Sequence, residues 1–275
     1  MLILKFHTIL FLIFSAYLFN ILTTDAQRGM ELVMSKPVSG IDYLMADQQG
    51  NAYLSRLNGD VLKVNSAGEA TLTYSPIKNG KVKQIDVWSS FKIVVFYDSF
   101  QEVVVLNRFL SETARYNFES YQVGFVSNIA LNFQQNLWVV DESDFTLKLL
   151  DLKSDQVLVE QPFFQFLDVD NHAIIFMKEY QGRLYVVDKN YGILIFDNQG
   201  NLVEKMEKKG INSLGFQKDK LYCYYENKMI EEELYGLGEF EISLPKEGYE
   251  NVQKSGDYFF CISDRQLDIY RYLRQ

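Results

Sequence analysis

Six short apolar segments of the chain each carry one polar side chain that offers an oxygen or a nitrogen to a ligand. These side chains are Asp42, Asp86, Asn128, His172, Asn212 and Asn251. Carboxylate and amide oxygens are the ligands that Ca²⁺ prefers. If the fold brings the six segments around one axis, their side chains line a common channel. We therefore take all six residues as candidates for binding.

His172 is the only histidine that follows residue 26. A histidine whose pKa lies near neutrality can act as a general base. A zinc site built from three histidines is excluded, because the whole chain contains 2 His. The sequence also lacks a GxSxG nucleophile elbow and the phosphate-binding patterns GxGxxG and GxxxxGK[ST]. His172 is thus a general-base candidate without a complete catalytic set, and a hydrogen-bonded structural histidine is the competing interpretation.

Four aspartates stand at similar places, each at the end of an apolar segment. They are Asp98, Asp141, Asp188 and Asp264. They resemble a carboxylate cluster, but they recur with the spacing of the segments themselves, which places them far apart in a closed ring. Aspartate side chains at turns commonly accept hydrogen bonds from nearby backbone amides. We predict that these four residues stabilise turns.

The elements that must position these residues form a repeat. The clearest copies are NLWVVDESDFTLKLLDLKSDQVLVE from Asn136 and RLYVVDKNYGILIFDNQGNLVEK from Arg183. Each reads as three strands separated by short turns, the second turn containing Asp or Asn. One residue of the first strand recurs about every 41 residues, the length of one four-stranded propeller blade. The six anchor positions are Tyr53, Val94, Trp138, Tyr185, Tyr222 and Phe259.

A further strand precedes each copy and carries the polar candidate, so it becomes the innermost strand of its blade. The last copy ends after three strands and lacks an outer one. The segment ELVMSK, residues 31–36, precedes the first blade without a partner. We predict that this segment supplies the missing strand and closes the ring, because closure removes open sheet edges. The predicted fold class is an all-β, six-bladed β-propeller of four-stranded antiparallel blades.

The strand LYVVD at 184–188 and the turn motif FDNQG at 196–200 resemble the six-bladed β-propeller superfamily of TolB-like and NHL-like proteins. The resemblance covers residues 31–273 and implies the architecture. Lactonase-like and esterase-like members of this group hold a divalent metal in the channel through Asn, Asp and Glu. The ligand motifs of these members do not match this chain residue by residue. A hydrolase of this type would use Asp42, Asn128 and Asn212 as metal ligands and His172 as the base. A channel without bound metal is the competing expectation.

The first 26 residues have the pattern of a secretory signal peptide. Lys5 precedes an apolar stretch, and Thr24-Asp25-Ala26 offers small residues at the cleavage site. We predict cleavage after Ala26, export to a periplasmic or extracellular compartment, a bacterial source, and one propeller domain over residues 27–275. The alternative is a retained membrane anchor. No other segment is apolar enough to span a membrane.

Charge and cysteine content narrow the classes of partner. The net charge of −9 and the lack of a Lys/Arg cluster argue against nucleic acids. Cys223 and Cys261 lie in equivalent strands of neighbouring repeats, where a disulfide requires an unfavourable approach. We therefore predict two buried free thiols, and a monomer. The segment QPFFQF at 161–166 is predicted to be buried rather than exposed to a partner.

The absence of a complete catalytic set favours a non-catalytic, exported binding or scaffold module that engages a protein or peptide on one face of the propeller. The alternative is a metal-dependent lactonase-like or esterase-like hydrolase with its site in the central channel. Carbohydrate binding through exposed Trp88 and Trp138 is a third hypothesis. No organic cofactor is expected, and Ca²⁺ in the channel is the candidate ion.

Overall fold

The computed structural model describes residues 29–78, 80–89 and 91–273, apart from the side chains of residues 88 and 89. Within these ranges, 24 strands form six four-stranded sheets. Each innermost strand contacts the innermost strands of both neighbouring blades, so the sheets form a closed ring. The predicted six-bladed propeller is confirmed. The predicted signal peptide, residues 1–26, lies outside the described residues.

The first three blades run outward from the channel as antiparallel meanders. Blade 1 contains β2 (Ile41–Ala46), β3 (Ala52–Arg56), β4 (Val61–Val64) and β5 (Ala70–Tyr74). Blade 2 contains β6 (Gln84–Ser89), β7 (Lys92–Tyr97), β8 (Glu102–Asn107) and β9 (Glu112–Asn117). Blade 3 contains β10 (Val126–Leu131), β11 (Leu137–Asp141), β12 (Thr146–Asp151) and β13 (Gln156–Pro162).

The next two blades repeat this order, and the last is completed by the first strand of the chain. Blade 4 contains β14 (Ile174–Tyr180), β15 (Arg183–Asp188), β16 (Gly192–Phe196) and β17 (Leu202–Met206). Blade 5 contains β18 (Ser213–Gln217), β19 (Lys220–Tyr225), β20 (Lys228–Glu233) and β21 (Glu239–Ile242). Blade 6 contains β22 (Asn251–Ser255), β23 (Tyr258–Ser263), β24 (Gln266–Leu273) and β1 (Gly29–Pro37).

The closure strand, β1, occupies the outer edge of blade 6, as the sequence predicted. It pairs antiparallel with β24 from Gly29 opposite Leu273 to Pro37 opposite Gln266, with a bulge near Leu32. Its Ser35 hydroxyl donates to the buried Asp268 carboxylate at 2.6 Å. The ring is therefore closed by backbone pairing between the two ends of the described chain.

Aspartate and asparagine side chains shape the turns between third and fourth strands. Asn65 and Asp197 each accept hydrogen bonds from the amides two and four residues later.

Two of the four aspartates at strand ends also act as predicted: Asp141 accepts from the amides of Gly124 and Ser143, and Asp188 from three amides. Asp98 and Asp264 instead contact the neighbouring side chains of Ser99 and Arg265.

The hydrophobic core lies mainly between neighbouring blades, where apolar strands are covered on both faces. One cluster joins blades 2 and 3, a second joins blades 3 and 4, and two others flank blade 6. Phe163 is fully buried in the second cluster, whereas Phe164 is 62% exposed. The predicted burial of the 161–166 segment therefore holds for Phe163 but not for Phe164.

Both cysteines are free and buried, as predicted. Burial raises the pKa of the Cys223 thiol to about 12, and it also raises the pKa of Cys261. The thiol form is favoured at neutral pH, so neither residue is a reactive nucleophile. Among the described residues, no helix has the length and apolar character needed to cross a membrane.

The antiparallel meander gives the ring two distinct faces. We call the face where the innermost strands begin the lower face; it also carries the turns between second and third strands. The upper face is where the innermost strands end, and it carries the turns between first and second strands. The six polar residues selected from the sequence lie along, or just before, the innermost strands.

Candidate functional site

Polar side chains cross the channel and satisfy backbone groups at the inner edges of the blades. Gln84, on β6, donates from Nε2 to the carbonyl oxygens of Ile129 (2.6 Å) and Met177 (2.9 Å). It thereby ties the innermost strands of blades 2, 3 and 4 together. Without such partners, the amides and carbonyls buried at an inner edge would stay unpaired. Each unpaired group would lower the stability by about 1–3 kcal/mol.

An ion pair extends this contact across the channel. Asp86, on β6, has no exposed surface, and it accepts hydrogen bonds from the Lys178 ammonium on β14 and the Leu131 amide at 3.0 Å. Lys178 also donates to the Val87 carbonyl at 3.0 Å. The pair joins blades 2 and 4 past blade 3. Asp86, a candidate for ligand binding in the sequence, is thus engaged by a buried lysine.

Hydroxyl and amide side chains perform the same task on the opposite side of the channel. Ser213 donates to the Val252 carbonyl at 2.7 Å, which links blades 5 and 6. Asn251 donates to the Leu44 carbonyl at 3.4 Å, which links blades 6 and 1. The polar residues of the innermost strands therefore hold the ring together.

Asn212 and Asn251 are the sequence candidates that the structure brings into one cavity. They line a volume of about 160 Å³ at the lower mouth of the channel, together with Tyr43. Asp42 does not line this cavity; its carboxylate pairs with the Lys81 ammonium at 2.6 Å. The lower mouth is therefore small, and its lining mixes amide, hydroxyl and apolar side chains with the charged Lys189 and Glu250.

Asn128 and His172 have separate surroundings. Asn128 is buried and accepts from the Ser127 hydroxyl at 3.1 Å, while its Nδ2 has no hydrogen-bond partner within the part of the chain that the structure describes. His172 lies in the connection before β14, where its ring packs on Phe145 and its Nε2 lies 3.1 Å from the Glu142 carboxylate. Its Nδ1 lies 2.9 Å from the Val169 carbonyl. This position corresponds to the hydrogen-bonded histidine considered in the sequence.

The metal-site hypothesis stays a prediction. No group of three or more His, Cys, Asp or Glu side chains suited to a metal ion occurs among the described residues. The implied ligands Asp42 and Asn128 each have a protein partner, while Asn212 faces the small lower cavity. Elemental mass spectrometry of the purified chain, with and without Asp42→Ala and Asn128→Ala, measures whether Ca²⁺ is bound through these residues.

A larger cavity opens at the upper mouth of the channel, with a volume of about 690 Å³. We call it the upper-mouth cavity. Phe176, Leu214 and Gln253 line both this cavity and the lower one, so they lie between the two mouths. Ligand sites typically have volumes of about 300–1,000 Å³ and combine apolar walls with a few polar groups. The upper-mouth cavity has this size and composition.

Aromatic rings form its rim. Phe91 and Phe133 lie in the first turns of blades 2 and 3 and are 66% and 53% exposed. Across the cavity, the rings of Tyr180 and Phe216 stack with centroids 4.6 Å apart. The Arg108 guanidinium lies 5.9 Å from the Phe91 ring. Exposed aromatic rings beside an arginine are typical of surfaces that provide binding energy in protein interfaces.

Charged side chains stand in the wall of the cavity at equivalent positions of blades 4 and 6. The two innermost strands of each blade form a hairpin, and Glu179 and Lys254 each lie one residue before the last paired residue of the innermost strand. Glu179 is buried and accepts from the Phe133 amide and the Trp138 indole, both at 3.1 Å. The Lys254 ammonium lies 4.6 Å from the Tyr222 ring centroid, in the gap between blades 5 and 6. Of the two, the carboxylate lies beside the aromatic rim.

Burial raises the pKa of Glu179, and the Asp86 charge acts in the same direction; the Phe133 amide, the Trp138 indole and the Lys178 charge oppose it. An acid with a raised native pKa binds its proton more tightly when folded. Its contribution to stability is therefore present below the unfolded value near 4.5 and is lost as the pH rises through the raised native value.

We accordingly expect a pH-dependent difference between the wild type and Glu179→Gln. The free energy of unfolding of the wild type should fall, relative to that of the variant, as the pH rises above 4.5. Urea unfolding at a series of pH values measures this difference. A constant difference from pH 4 to pH 8 contradicts the raised pKa.

The residues of the upper mouth were not selected from the sequence. The sequence pointed to His172 in this part of blade 4, whereas the innermost strand β14 carries Lys178 and Glu179 near its end. Two adjacent charges continuing an apolar strand were the available signal, because charged residues are rarely buried unless paired. Phe91 and Phe133 lie in short turns, and nothing local in the sequence indicates that they meet at one cavity.

The burial of Trp138 contradicts the hypothesis that this residue binds carbohydrate. It is 1% exposed and packed between blades 3 and 4, so it presents no ring to a glycan. Its indole donates to Glu179, as buried tryptophans usually require a hydrogen-bond acceptor. The side chain of Trp88 lies outside the described part of the structure.

The fold is similar to that of several solved propellers. A streptogramin B lyase superposes with a TM-score of 0.62 and 12% identity, covering 89% of this chain and 98% of its own. The β-propeller domain of Myceliophteria thermophila Cps50 (Swd1) gives 0.63 and 8%, covering 88% and 99%. The Neurospora crassa Pan2 WD40 domain gives 0.57 and 10%, covering 86% and 79%. No protein-family model and no curated protein matches the sequence. At such identities the similarity establishes the fold alone.

Proposed function

We propose that this protein is an exported binding module that engages a protein or peptide at the upper mouth of its channel, acting as a monomer. One observation carries the proposal: the upper-mouth cavity of about 690 Å³, with an aromatic rim in which Phe91 and Phe133 are exposed. The side chains beneath it are engaged in holding the blades together. Their engagement supports recognition rather than chemistry in the channel.

The two faces differ in what they offer a partner. The upper mouth has four aromatic rings around a deep cavity, while the lower mouth has a cavity of about 160 Å³. The lower face also carries exposed apolar residues, including Leu57 and Phe164. These are 60% and 62% exposed, so they serve as matched controls for Phe91 and Phe133.

The neighbours in fold do not choose between binding and catalysis. One is a lyase and two are propeller or WD40 domains, all at 12% identity or less. The proposal therefore depends on the cavity of this chain. The export component follows from the N-terminal pattern of residues 1–26, and N-terminal sequencing of the secreted protein tests it.

Peptide selection on the whole protein tests the binding site. A displayed peptide library is selected on the wild type, and the affinity of the best peptide is then measured by calorimetry. We expect the Phe91→Ser, Phe133→Ser double variant to bind at least about tenfold more weakly, because it loses two rim rings. The Leu57→Ser, Phe164→Ser double variant on the lower face should bind as the wild type does.

Two results contradict this site. Equal affinity of the upper-face variant and the wild type shows that the rings do not contribute. A loss of affinity only in the lower-face variant shows that the peptide binds on the lower face instead. Thermal unfolding of both variants checks that they fold. The unfolding midpoint should change little, because substitutions of exposed residues usually have small effects on stability.

A further inference from the structure

The upper-mouth cavity combines two features that together specify a type of ligand. Its rim contains the rings of Phe91, Phe133, Tyr180 and Phe216. Its wall includes the Glu179 carboxylate, which is 6% exposed and is held by the Phe133 amide at 3.1 Å. Because Phe133 supplies both a rim ring and this amide, the carboxylate lies directly beside the aromatic rim.

The positive charges near the cavity are already committed elsewhere. The Lys178 ammonium is paired with the Asp86 carboxylate and also donates to the Val87 carbonyl. The Lys254 ammonium donates to the Gly256 carbonyl at 2.6 Å and lies near the Tyr222 ring, in the gap between blades 5 and 6. The Glu179 carboxylate accepts its hydrogen bonds from a backbone amide and an indole.

Asp47 contributes a second carboxylate to the cavity wall. Its oxygens accept hydrogen bonds from the amides of Gln49 and Asn51, which order the first turn of blade 1. Two carboxylates thus line a cavity whose lysines are held by other groups. A carboxylate beside an aromatic rim attracts a cation that carries apolar substituents, because such a cation interacts with the ring faces and loses little hydration.

We propose that the upper-mouth cavity binds an organic cation, an alkylammonium or quaternary ammonium group, with the aromatic rim around its alkyl groups and Glu179 as its counter-ion. The inference rests on the proposed function, since it names the group of the bound peptide that enters the cavity. A lysine or N-methylated lysine side chain presents this chemistry. Burial raises the pKa of Glu179, and a bound cation would favour its ionised form.

Matched small probes test the charge requirement on the whole protein at pH 8. Choline and its neutral isostere 3,3-dimethylbutan-1-ol have the same shape and differ in charge. We expect choline to bind at least about tenfold more tightly than the alcohol. The anion 3,3-dimethylbutanoate, which would pair with the lysines, should bind more weakly than either. Choline no tighter than the alcohol, or an anion that binds most tightly, overturns the proposal.

Variants assign the effect to the named residues. Glu179→Gln should lower choline affinity about tenfold and leave the affinity of the alcohol within about twofold. Glu204→Gln, on the outer strand of blade 4, should change neither affinity, since Glu204 lies outside the cavity and pairs with Arg183 at 3.7 Å. Phe133→Leu keeps apolar volume but removes a ring, and it should weaken choline binding even if Glu179→Gln fails to fold.

The outcomes separate this inference from the proposed function. If peptides bind at the upper mouth but choline shows no preference over the alcohol, the cation inference fails and the binding proposal stands. If choline binds through Glu179 but no peptide is selected, the cation site stands as a small-molecule site. Displacement of a selected peptide by choline indicates that the peptide itself supplies the cation; a lack of displacement contradicts that source.

Discussion

Replacing Lys178 by methionine is expected to destabilise the protein by about 3–5 kcal/mol, because it leaves a buried carboxylate without its cation. Asp86 has no exposed surface, and its remaining donor is the Leu131 amide. The substitution also removes the donor to the Val87 carbonyl. Methionine conserves most of the volume, so the loss measures the charge rather than a cavity. Urea unfolding gives the free energy directly.

A second variant shows that the effect comes from the pair. In Lys178→Met, Asp86→Asn, the asparagine is neutral and still accepts from the Leu131 amide. We expect the double variant to recover at least about 2 kcal/mol relative to Lys178→Met, because no unpaired charge remains. Lys205→Met, on an exposed strand of the same blade, should change stability by less than about 0.5 kcal/mol. Additive losses in the double variant contradict the coupling.

Removal of the closure strand should have the other large effect. A chain that starts at Val38 lacks β1 and loses its pairing with β24. It also loses the Ser35 hydroxyl on Asp268 and leaves β24 as an open edge. We expect the thermal midpoint to fall by at least roughly 10 °C compared with a chain that starts at Gly29, and aggregation to increase.

Addition of the missing strand in trans distinguishes loss of pairing from loss of chain length. A synthetic peptide of residues 29–37 should bind the truncated chain by strand addition and raise its midpoint. A version of the peptide with Ser35→Pro should not, because proline lacks the backbone donor and the hydroxyl. A truncated chain with an unchanged midpoint contradicts the role of β1 in closure.

The sequence predicted the architecture because blade repeats are local. Apolar strands, Asx turns such as those at Asn65 and Asp197, and a spacing of about 41 residues are each visible within one copy. Closure by residues 31–36 followed from counting: one blade lacked a strand, and one strand lacked a blade. Pairing of β1 with β24 confirms that argument.

The site was harder to predict because it is assembled from several blades. Asp86 was selected as a possible ligand, but its partner Lys178 lies in another blade, 92 residues away. Phe91 and Phe133 belong to different turns, and their common cavity follows only from ring closure. Trp138 was expected to be exposed, but it packs between two blades. Local patterns report which strands form, whereas convergence at one mouth depends on how the blades are arranged.

Polar residues in the innermost strands also have a structural reason that the sequence alone does not separate from function. The inner edge of each blade carries backbone groups that no fifth strand can pair. Gln84, Ser213 and Asn251 satisfy such groups on neighbouring blades. A ring of polar residues is therefore expected in a channel of this kind, whether or not it binds a ligand.

Hydrogen–deuterium exchange of the whole protein, with and without a saturating selected peptide, tests the central claim most directly. Binding at the upper mouth predicts slower exchange in the first turns of the blades, at residues 47–51, 132–136 and 181–182, which lie at the upper-mouth cavity or beside it. Exchange at the lower-face connection 163–173 should stay unchanged. Protection confined to the lower-face connections would contradict the proposed site.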